Sequence, residues 1–232
     1  MQSFPLTPND VPCATPDLGI ELCGERVYLM PERALFRERT GTLLVADVHW
    51  GKAATFRAAG IAVPGGTTTE GLSRLTAALE RSGARRLVFL GDLFHAREGR
   101  VERTLAAVAE WRARHAHVEM SLVRGNHDKH AGDPPPELGI SCCTPPFDAA
   151  PFVYRHHPDE SPDGYTLSGH VHPAVRLLGR GRQRTRLPCF YFGARVGILP
   201  AFGSFTGVAE VTPGPGDRVF VPLDDCVIEV TG

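Results

Sequence analysis

The chain repeats one pattern three times: a strand-forming segment rich in apolar residues ends abruptly in residue types that bind metals. The segments are 42–46, 86–90 and 118–123, and they are followed by Asp47, Asp92 and Asn126. Short continuous apolar runs are typical of strands that are buried on both faces of a parallel sheet. Helix-type segments between the runs, at 67–83 and 100–115, provide the crossovers that parallel strands require. The pattern predicts an α/β fold with a largely parallel first sheet.

Polar residues that follow parallel strands meet at the carboxyl edge of the sheet, where open α/β sheets bind ligands. Asp47 and His49 are two residues apart, so an extended backbone would present both side chains on one face. The same spacing recurs in His170 and His172. A glycine before Asp92 lets the backbone turn sharply, and the two oxygens of this carboxylate can bridge two cations. The spacing therefore predicts a metal centre at this edge.

The predicted centre has more ligands than one ion accepts. The candidates are Asp47, His49, Asp92, Asn126, His156 or His157, His170 and His172. Seven nitrogen and oxygen donors fit two ions that share a carboxylate and a water, and a set without thiolates favours Mn²⁺, Fe²⁺ or Zn²⁺ over Ca²⁺. Two such ions lower the pKa of a bridging water, clamp a phosphate oxygen and support in-line displacement. The predicted reaction is hydrolysis of a phosphoester by attack of a metal-bridged hydroxide.

Two residues beside this set are predicted to serve proton transfer to the leaving group rather than to bind the metals. His127 is placed to protonate the leaving alkoxide. Asp128 follows directly, and we expect it to orient the His127 ring and raise the pKa of that ring. Three further histidines outside the motifs are assigned structural roles, namely His115, His117 and His130.

Length and composition fit one globular domain. Among 232 residues, 42% are hydrophobic and 22% charged, which allows a sizeable core. We expect a loose N-terminal arm over residues 1–18 and a single domain over 19–232. A net charge of −1 provides no electrostatic attraction of the whole protein to nucleic acid, so any contact with nucleic acid would depend on a local group of basic residues. The six cysteines form no Cys-x-x-Cys pair, and no signal peptide or membrane-length apolar run occurs, so a cytoplasmic protein is expected.

Outside the repeated pattern, the expected elements are shorter. Two or three edge strands are expected between residues 20 and 36. Thr67 and Glu70 have the spacing of a capping box at the start of a helix. Prolines at 134–136 and 145–146 mark surface connections. The half after residue 150 is rich in β-type residues and punctuated by glycine, which favours a second, more antiparallel sheet.

The motifs Asp-x-His, Gly-Asp, Gly-Asn-His-Asp, a lone His and Gly-His-x-His occur here in that order. Together they resemble the calcineurin-like metallophosphoesterase superfamily. Its fold is a four-layer α/β sandwich of two mixed sheets flanked by helices. Longer stretches resemble one branch, the bacterial ligase-associated DNA damage response endonucleases. They are residues 45–52, 56–60, 123–128 and 199–207. The resemblance runs from about residue 20 to the C-terminus and covers each motif, which makes it specific.

The resemblance implies a role for each candidate residue. One metal would be held by Asp47, His49, Asp92 and His172, and the other by Asp92, Asn126, His156 and His170. His156 is preferred because it directly follows a predicted strand, but His157 stands where many members have glycine, and the choice stays open. The segment Gly91–His95 resembles repair nucleases of the superfamily in which the corresponding histidine contacts the cleaved phosphate, which implies a second catalytic histidine at His95.

An arginine-rich stretch follows the last metal motif. It contains Arg176, Arg180, Arg182, Arg184 and Arg186. One interpretation is a solvated hairpin in an arginine-rich protein. The other is an edge that contacts phosphates and guides a nucleic-acid strand to the metals.

The sequence thus predicts a two-metal phosphodiesterase, and the family resemblance narrows it to a DNA endonuclease in repair. DNA would be the substrate, and a DNA ligase, an exonuclease and a helicase of a repair operon would be functional partners. An alternative is a small-molecule phosphodiesterase or pyrophosphatase acting on cyclic nucleotides or nucleotide conjugates. A binding scaffold without catalysis is disfavoured because no ligand position is missing.

Overall fold

The computed structural model describes residues 4–5, 16–178 and 184–230. Its strands are β1 (Phe4–Pro5), β2 (Leu18–Leu22), β3 (Glu25–Met30), β4 (Ala34–Arg37), β5 (Thr42–Val45), β6 (Arg86–Phe89), β7 (Glu119–Val123), β8 (Ile140–Cys143), β9 (Phe147–Ala149), β10 (Phe152–Tyr154), β11 (Tyr165–Ser168), β12 (Pro173–Leu178), β13 (Arg184–Pro188), β14 (Phe190–Phe192), β15 (Val196–Ile198), β16 (Ala209–Glu210), β17 (Arg218–Pro222) and β18 (Val227–Glu229). Its α-helices are α1 (Lys52–Ala58), α2 (Thr67–Ser82), α3 (Glu102–Arg114) and α4 (Asn126–Ala131).

The first sheet has seven strands in the order β2-β3-β4-β5-β6-β7-β8. Strands β2 to β5 pair antiparallel, and β5 to β8 pair parallel. Side chains alternate between the two faces of a strand, and every residue of β5 is buried, so both faces of β5 are covered. Leu43 and Val45 pack with Leu75 of α2 and Trp111 of α3, whereas Leu44 faces the second sheet. These buried faces explain the continuous apolar runs, and the predicted parallel core of this sheet is confirmed.

The second sheet also has seven strands, in the order β18-β17-β14-β15-β11-β10-β9. Only β10, β11 and β15 pair parallel, so this sheet is the more antiparallel one, as predicted. Its inner face, which includes Phe152, Leu167 and Phe220, packs against the first sheet in one hydrophobic cluster with Leu44 and Val88. The two sheets therefore form a sandwich around a shared core.

A small third sheet covers the outer face of the second one. In it β12 pairs with β1, β13 and β16. Val175 of β12 packs with Val219 and Val221 of β17. The predicted fold class, an α/β sandwich of two mixed sheets, is confirmed. One detail differs: within the described residues no α-helix follows Ala131, so this outer layer is a sheet and not a helix.

Several local predictions need correction. The capping box at Thr67 is wrong, because Gly66 is the N-cap, no side chain caps the helix, and the amide of Glu70 donates to the Gly66 carbonyl. Strands β8 and β9 lie between or beside the proline clusters that were expected to be surface connections only. Helix α4 was not predicted, because its six residues are too few to show a helical period.

The predicted N-terminal arm, residues 1–18, lies mostly outside the described residues. Within it, Phe4–Pro5 pairs in parallel with the end of β12, and β2 already begins at Leu18. The extent of the single domain stays a prediction. In the part of the chain that the structure describes, each helix is too short or too polar to span a membrane.

Candidate metal centre

The candidate ligands come from the carboxyl ends of parallel strands in both sheets. Asp47, Asp92 and Asn126 follow β5, β6 and β7, and His156 and His170 follow β10 and β11. Possible ligand atoms lie within 4.8 Å of one another in several overlapping groups. The groups are Asp47–His49–His172, Asp47–Asp92–His156, His156–His157–His170 and His49–His95–His127. The structure thus brings together the residues that the motifs singled out.

Backbone strain is concentrated at these ligands. In the described residues, eight non-glycine residues have positive φ, and five of them are candidate ligands: Asp47 (54°), His49 (51°), Asp92 (53°), His170 (69°) and His172 (53°). Left-handed backbone at a non-glycine residue costs roughly 1–2 kcal/mol and persists where the surrounding structure enforces it. The expectation that Asp47 and His49 leave an extended strand on one face is therefore wrong in its geometry, although the two side chains do meet.

Backbone hydrogen bonds between loops enforce this conformation. The amide of Asp47 donates to the carbonyl of Gly91 at 3.3 Å, and the amide of His49 donates to the carbonyl of Asp92 at 2.9 Å. The amide of Trp50 continues the series to Leu93 at 2.8 Å. The loops that follow β5 and β6 therefore run side by side, and each fixes the ligands of the other.

The carboxylate of Asp47 has an unsatisfied atom that fits a bound cation. Its Oδ2 accepts the backbone amide of His170 at 2.9 Å. Its Oδ1 is buried and has no hydrogen-bond partner among the described residues, while His172 Nε2 lies 3.6 Å away and His156 Nδ1 3.8 Å away. A buried carboxylate oxygen without a donor is costly unless a cation compensates it. The residues present therefore fit a metal ion at this position.

Asp92 lies between two groups of donors. Its Oδ1 is 3.4 Å from His156 Nε2, and its Oδ2 is 4.0 Å from His49 Nε2. The backbone amide of His127 donates to Oδ1 at 2.9 Å. Burial raises the pKa of Asp92, but the hydrogen bond and charge of His156, followed by the charge of His49, outweigh burial and lower this pKa to about 2. The side chain is therefore a carboxylate with one oxygen directed toward each group.

His156 is buried among these ligands, whereas His157 is exposed. The Nδ1 of His156 donates to the carbonyl of Leu90 at 2.9 Å, which leaves Nε2 unprotonated in the neutral ring. That Nε2 is 2.9 Å from Asn126 Oδ1. The His157 ring lies beside His170 instead, with 4.1 Å between ring centroids. This arrangement favours His156 as the ligand.

His170 and His172 do not share one face, contrary to the expectation from their spacing. His170 Nδ1 lies 3.2 Å from His156 Nε2, whereas His172 belongs to the group of Asp47 and His49. The Nδ1 of His172 lies 2.9 Å from the carbonyl of Gly207, so its Nε2 is directed to Asp47. The two imidazoles therefore serve different groups because both residues have left-handed backbone.

The role predicted for Asp128 is wrong. The hydrogen bonds given for its buried carboxylate in the described residues come from three backbone amides and not from the His127 ring: Asp92 (2.8 Å), Leu93 (3.0 Å) and Gly125 (2.7 Å). Burial raises the pKa of Asp128, and these amides oppose the rise. The side chain thus ties the loop after β6 to the loop after β7 and holds two ligand-bearing segments together.

His127 is oriented by a carbonyl. Its Nδ1 donates to the backbone oxygen of His95 at 2.6 Å, and its Nε2 lies 3.9 Å from Asp92 Oδ2. The side chain is 36% exposed, so a substrate can reach it. The rings of His95 and His127 stack with centroids 4.9 Å apart, and His95 Nδ1 is 3.4 Å from His49 Nδ1. Both predicted catalytic histidines therefore lie at the rim of the centre.

Burial keeps two of these histidines neutral. Burial lowers the pKa of His49 to about 2, although the charge of Asp92 opposes it. Burial also lowers the pKa of His95 to about 4, assisted by the charges of Lys52 and His127. A neutral imidazole has a lone pair for a cation, which is the form that a ligand requires.

Two glycines allow the loops to approach closely. A Cβ on Gly91 would lie 2.1 Å from His156 Nδ1, and a Cβ on Gly125 would lie 2.3 Å from Asp92 Oδ1. Neither position has space for a side chain. The Gly-Asp and Gly-Asn-His-Asp motifs thus need glycine for packing as well as for the turn.

The arginine-rich stretch forms a hairpin where it is described. Arg176 of β12 pairs with Arg186 of β13, and Arg184 lies two residues from Arg186 on the same face. The opposite face carries Val175 and Leu187, which pack on the second sheet. Arg180 and Arg182 lie outside the described residues. The described part therefore supports a hairpin with one apolar and one cationic face.

The sequence did not reveal the carbonyls that orient the histidines. Leu90, His95 and Gly207 supply them, and a carbonyl is common to all residue types, so no sequence signal could identify them. Lys52, the first residue of α1, is not part of the predicted ligand set. It is half-buried, and burial lowers its pKa although the charges of Asp47 and Asp92 oppose this effect.

Comparisons with known proteins agree with this geometry. The family model for the calcineurin-like phosphoesterases matches residues 42–176. The crystal structure of Pseudomonas putida nuclease MPE is similar, with 40% sequence identity and a TM-score of 0.79, over 89% of this chain and 96% of that chain. Yfce, a phosphoesterase from E. coli, matches 81% of this chain and 96% of its own at 17% identity and a TM-score of 0.39, which is too distant to support a conclusion. No curated protein matches.

Proposed function

Because the chain belongs to the calcineurin-like phosphoesterase family, we propose that it is a two-metal DNA endonuclease. Membership makes it a metal-dependent phosphoesterase. The nuclease assignment is supported by its similarity to Pseudomonas putida nuclease MPE over most of both chains. A role in ligase-associated DNA repair, with a DNA ligase, an exonuclease and a helicase as functional partners, is supported by the motif resemblance.

The position of Asp92 carries the two-metal proposal. One of its oxygens is directed to His49 and the other to His156, so a single carboxylate can serve both donor groups. The first ion would be held by Asp47, His49, Asp92 and His172, and the second by Asp92, Asn126, His156 and His170. Nitrogen and oxygen donors without thiolate favour Mn²⁺, with Fe²⁺ or Zn²⁺ as alternatives. Two such ions supply an activated water and neutralise charge on the phosphoryl oxygens.

His127 is the proposed general acid. Its Nδ1–H is held by the His95 carbonyl, so Nε2 is the atom that faces Asp92 and the substrate. In the protonated ring, Nε2–H can be donated to the departing alkoxide. His95 stacks on this ring and lies beside His49, which places it to position the phosphate. Asp128 has no direct part in the reaction, because amides occupy its carboxylate.

The cationic hairpin supports a polyanionic substrate. Arg184 and Arg186 are exposed on β13, and β12 of the same hairpin begins directly after His172. Arg176 is partly neutralised by its ion pair with Glu210. Arginines that follow a phosphate backbone add affinity that falls as the salt concentration rises. They do not contribute to binding of a small diester that has no phosphate other than the one at the metals. The hairpin is therefore a proposed path for the DNA strand toward the metals.

The test is a plasmid-nicking assay with purified protein and Mn²⁺, run beside hydrolysis of bis-p-nitrophenyl phosphate. We expect both activities, and we expect both to disappear with a chelator. A matched control is Asp92→Asn, in which the shared carboxylate is lost. Hydrolysis of the small diester without cleavage of DNA would contradict the nuclease assignment and favour a small-molecule phosphodiesterase or pyrophosphatase.

A further inference from the structure

The loop Gly203–Gly207, whose two ends bond to residues of the metal centre, carries an exposed aromatic side chain. Phe205 is 55% exposed and has a left-handed backbone, with a φ of 61°. Val208 follows at 37% exposure. Within the described residues, the Phe205 ring makes no contact with another aromatic ring or with a cation. Such a side chain gains little from folding and still costs backbone strain, so packing does not explain it.

This loop is attached to metal ligands at both ends. The amide of Gly203 donates to the Asp47 carbonyl at 3.0 Å, and a Cβ on Gly203 would lie 2.6 Å from the Val48 carbonyl oxygen. At the other end, the Gly207 carbonyl accepts from His172 Nδ1 at 2.9 Å. Phe205 lies midway between these attachments. Its position relative to the centre is therefore fixed by the same bonds that orient two ligands.

A second set of contacts holds the loop in shape. The Thr206 hydroxyl donates to the Gly203 carbonyl at 3.4 Å, and the Ser204 hydroxyl donates to Glu70 Oε1 of α2 at 3.4 Å. The loop is thus tied to a helix as well as to the centre. A loop that is held at both ends and through these two hydroxyls loses less conformational entropy than a free loop when a ligand covers its exposed ring.

We infer that Phe205 is a stacking surface for one base of a single-stranded nucleic acid whose neighbouring phosphate lies at the metal centre. The inference rests on the proposed function. Every base has a flat π face, so stacking on an aromatic ring does not depend on sequence. A base inside a duplex is covered on both faces, so only an unpaired or displaced base can use this surface. Phe205 would therefore set a preference for single-stranded DNA at the cleavage site.

The test compares variants on two substrates. The first is a single-stranded oligonucleotide in which one linkage is a phosphodiester and the others are methylphosphonates, and the second is bis-p-nitrophenyl phosphate. For Phe205→Ala, we expect the ratio of kcat/KM on the oligonucleotide to kcat/KM on the small diester to fall roughly tenfold. The same ratio should fall equally in Phe205→Leu, because leucine retains apolar area without a π face. In Phe205→Trp the ratio should equal that of the wild type.

An abasic nucleotide separates stacking from other effects. We place it in turn on each side of the cleavable linkage. At one of these positions, the wild type should cleave the abasic oligonucleotide about tenfold more slowly than the intact one. Phe205→Ala should cleave the abasic oligonucleotide as slowly as the wild type does, so that the effects of the two changes do not add. Additive losses, or an unchanged ratio in Phe205→Ala, would overturn the inference while leaving the nuclease intact. A wild-type protein that cleaves no oligonucleotide would overturn both this inference and the proposed function.

Discussion

The most revealing single substitution is Asp128→Asn, which keeps the shape of the side chain and removes its charge. Asp128 is 3% exposed, and its Oδ2 accepts the amides of Asp92 and Gly125 while Oδ1 accepts that of Leu93. Asparagine can retain one oxygen, which can keep the first two bonds. Its NH₂ group would then face the Leu93 amide, and two donors cannot bond.

The expected loss of stability follows from these bonds. One buried amide without an acceptor costs about 1–3 kcal/mol, and two bonds lose the strength that a charged acceptor gives them, about 1 kcal/mol each. Burial raises the pKa of Asp128, so removal of the charge returns part of this loss. We expect a net decrease in the free energy of unfolding of about 2 kcal/mol.

The assay is denaturant unfolding of the metal-free protein in a chelator, which isolates the loops from the ions. The matched control is Asp133→Asn, since the Asp133 carboxylate is 49% exposed and bonds only Arg124 within the described residues. An exposed pair contributes about 0–1 kcal/mol, so the control should unfold nearly as the wild type does. Equal stability of Asp128→Asn and the wild type would refute the role of this carboxylate as the tie between the two loops.

The remaining predictions concern the centre and the hairpin. In Gly91→Ala, the new methyl group would displace the His156 ring, so the purified protein should retain fewer than two ions by metal analysis; full occupancy would show that the loop adapts. His127→Ala should keep both ions and slow turnover by roughly 10²–10⁴, with a smaller loss on p-nitrophenyl leaving groups; an equal loss on good and poor leaving groups would exclude a general acid. Arg184→Ala with Arg186→Ala should reduce the salt dependence of DNA binding by about two counterions, and an unchanged slope in a salt titration would return the hairpin to a solvated surface.

The strands of the first sheet could be predicted from the sequence because their burial is local to each strand. Residues 43–46 and 87–90 are apolar at every position, which only a strand covered on both faces requires. The placement of Asp47 and Asp92 then follows from the rule for parallel strands. The same reasoning located His156 at the end of β10.

The parts that failed depend on contacts between distant segments. The left-handed backbone of His170 and His172 is imposed by packing against other loops, and an extended geometry was assumed for them instead. Asp128 was assigned to the adjacent His127, but its partners come from Asp92 and Leu93, which are 36 and 35 residues away in the chain. Adjacency in sequence is a poor guide to hydrogen-bond partners where a buried carboxylate has backbone amides within reach.

One measurement tests the two-metal account most directly. Crystals of the protein grown with Mn²⁺ should be studied by anomalous diffraction at the manganese edge. The account predicts two peaks on either side of the Asp92 carboxylate, one beside Asp47 and His172 and the other beside Asn126 and His156. A single peak, or a peak within the neighbouring group of His49, His95 and His127, would contradict it.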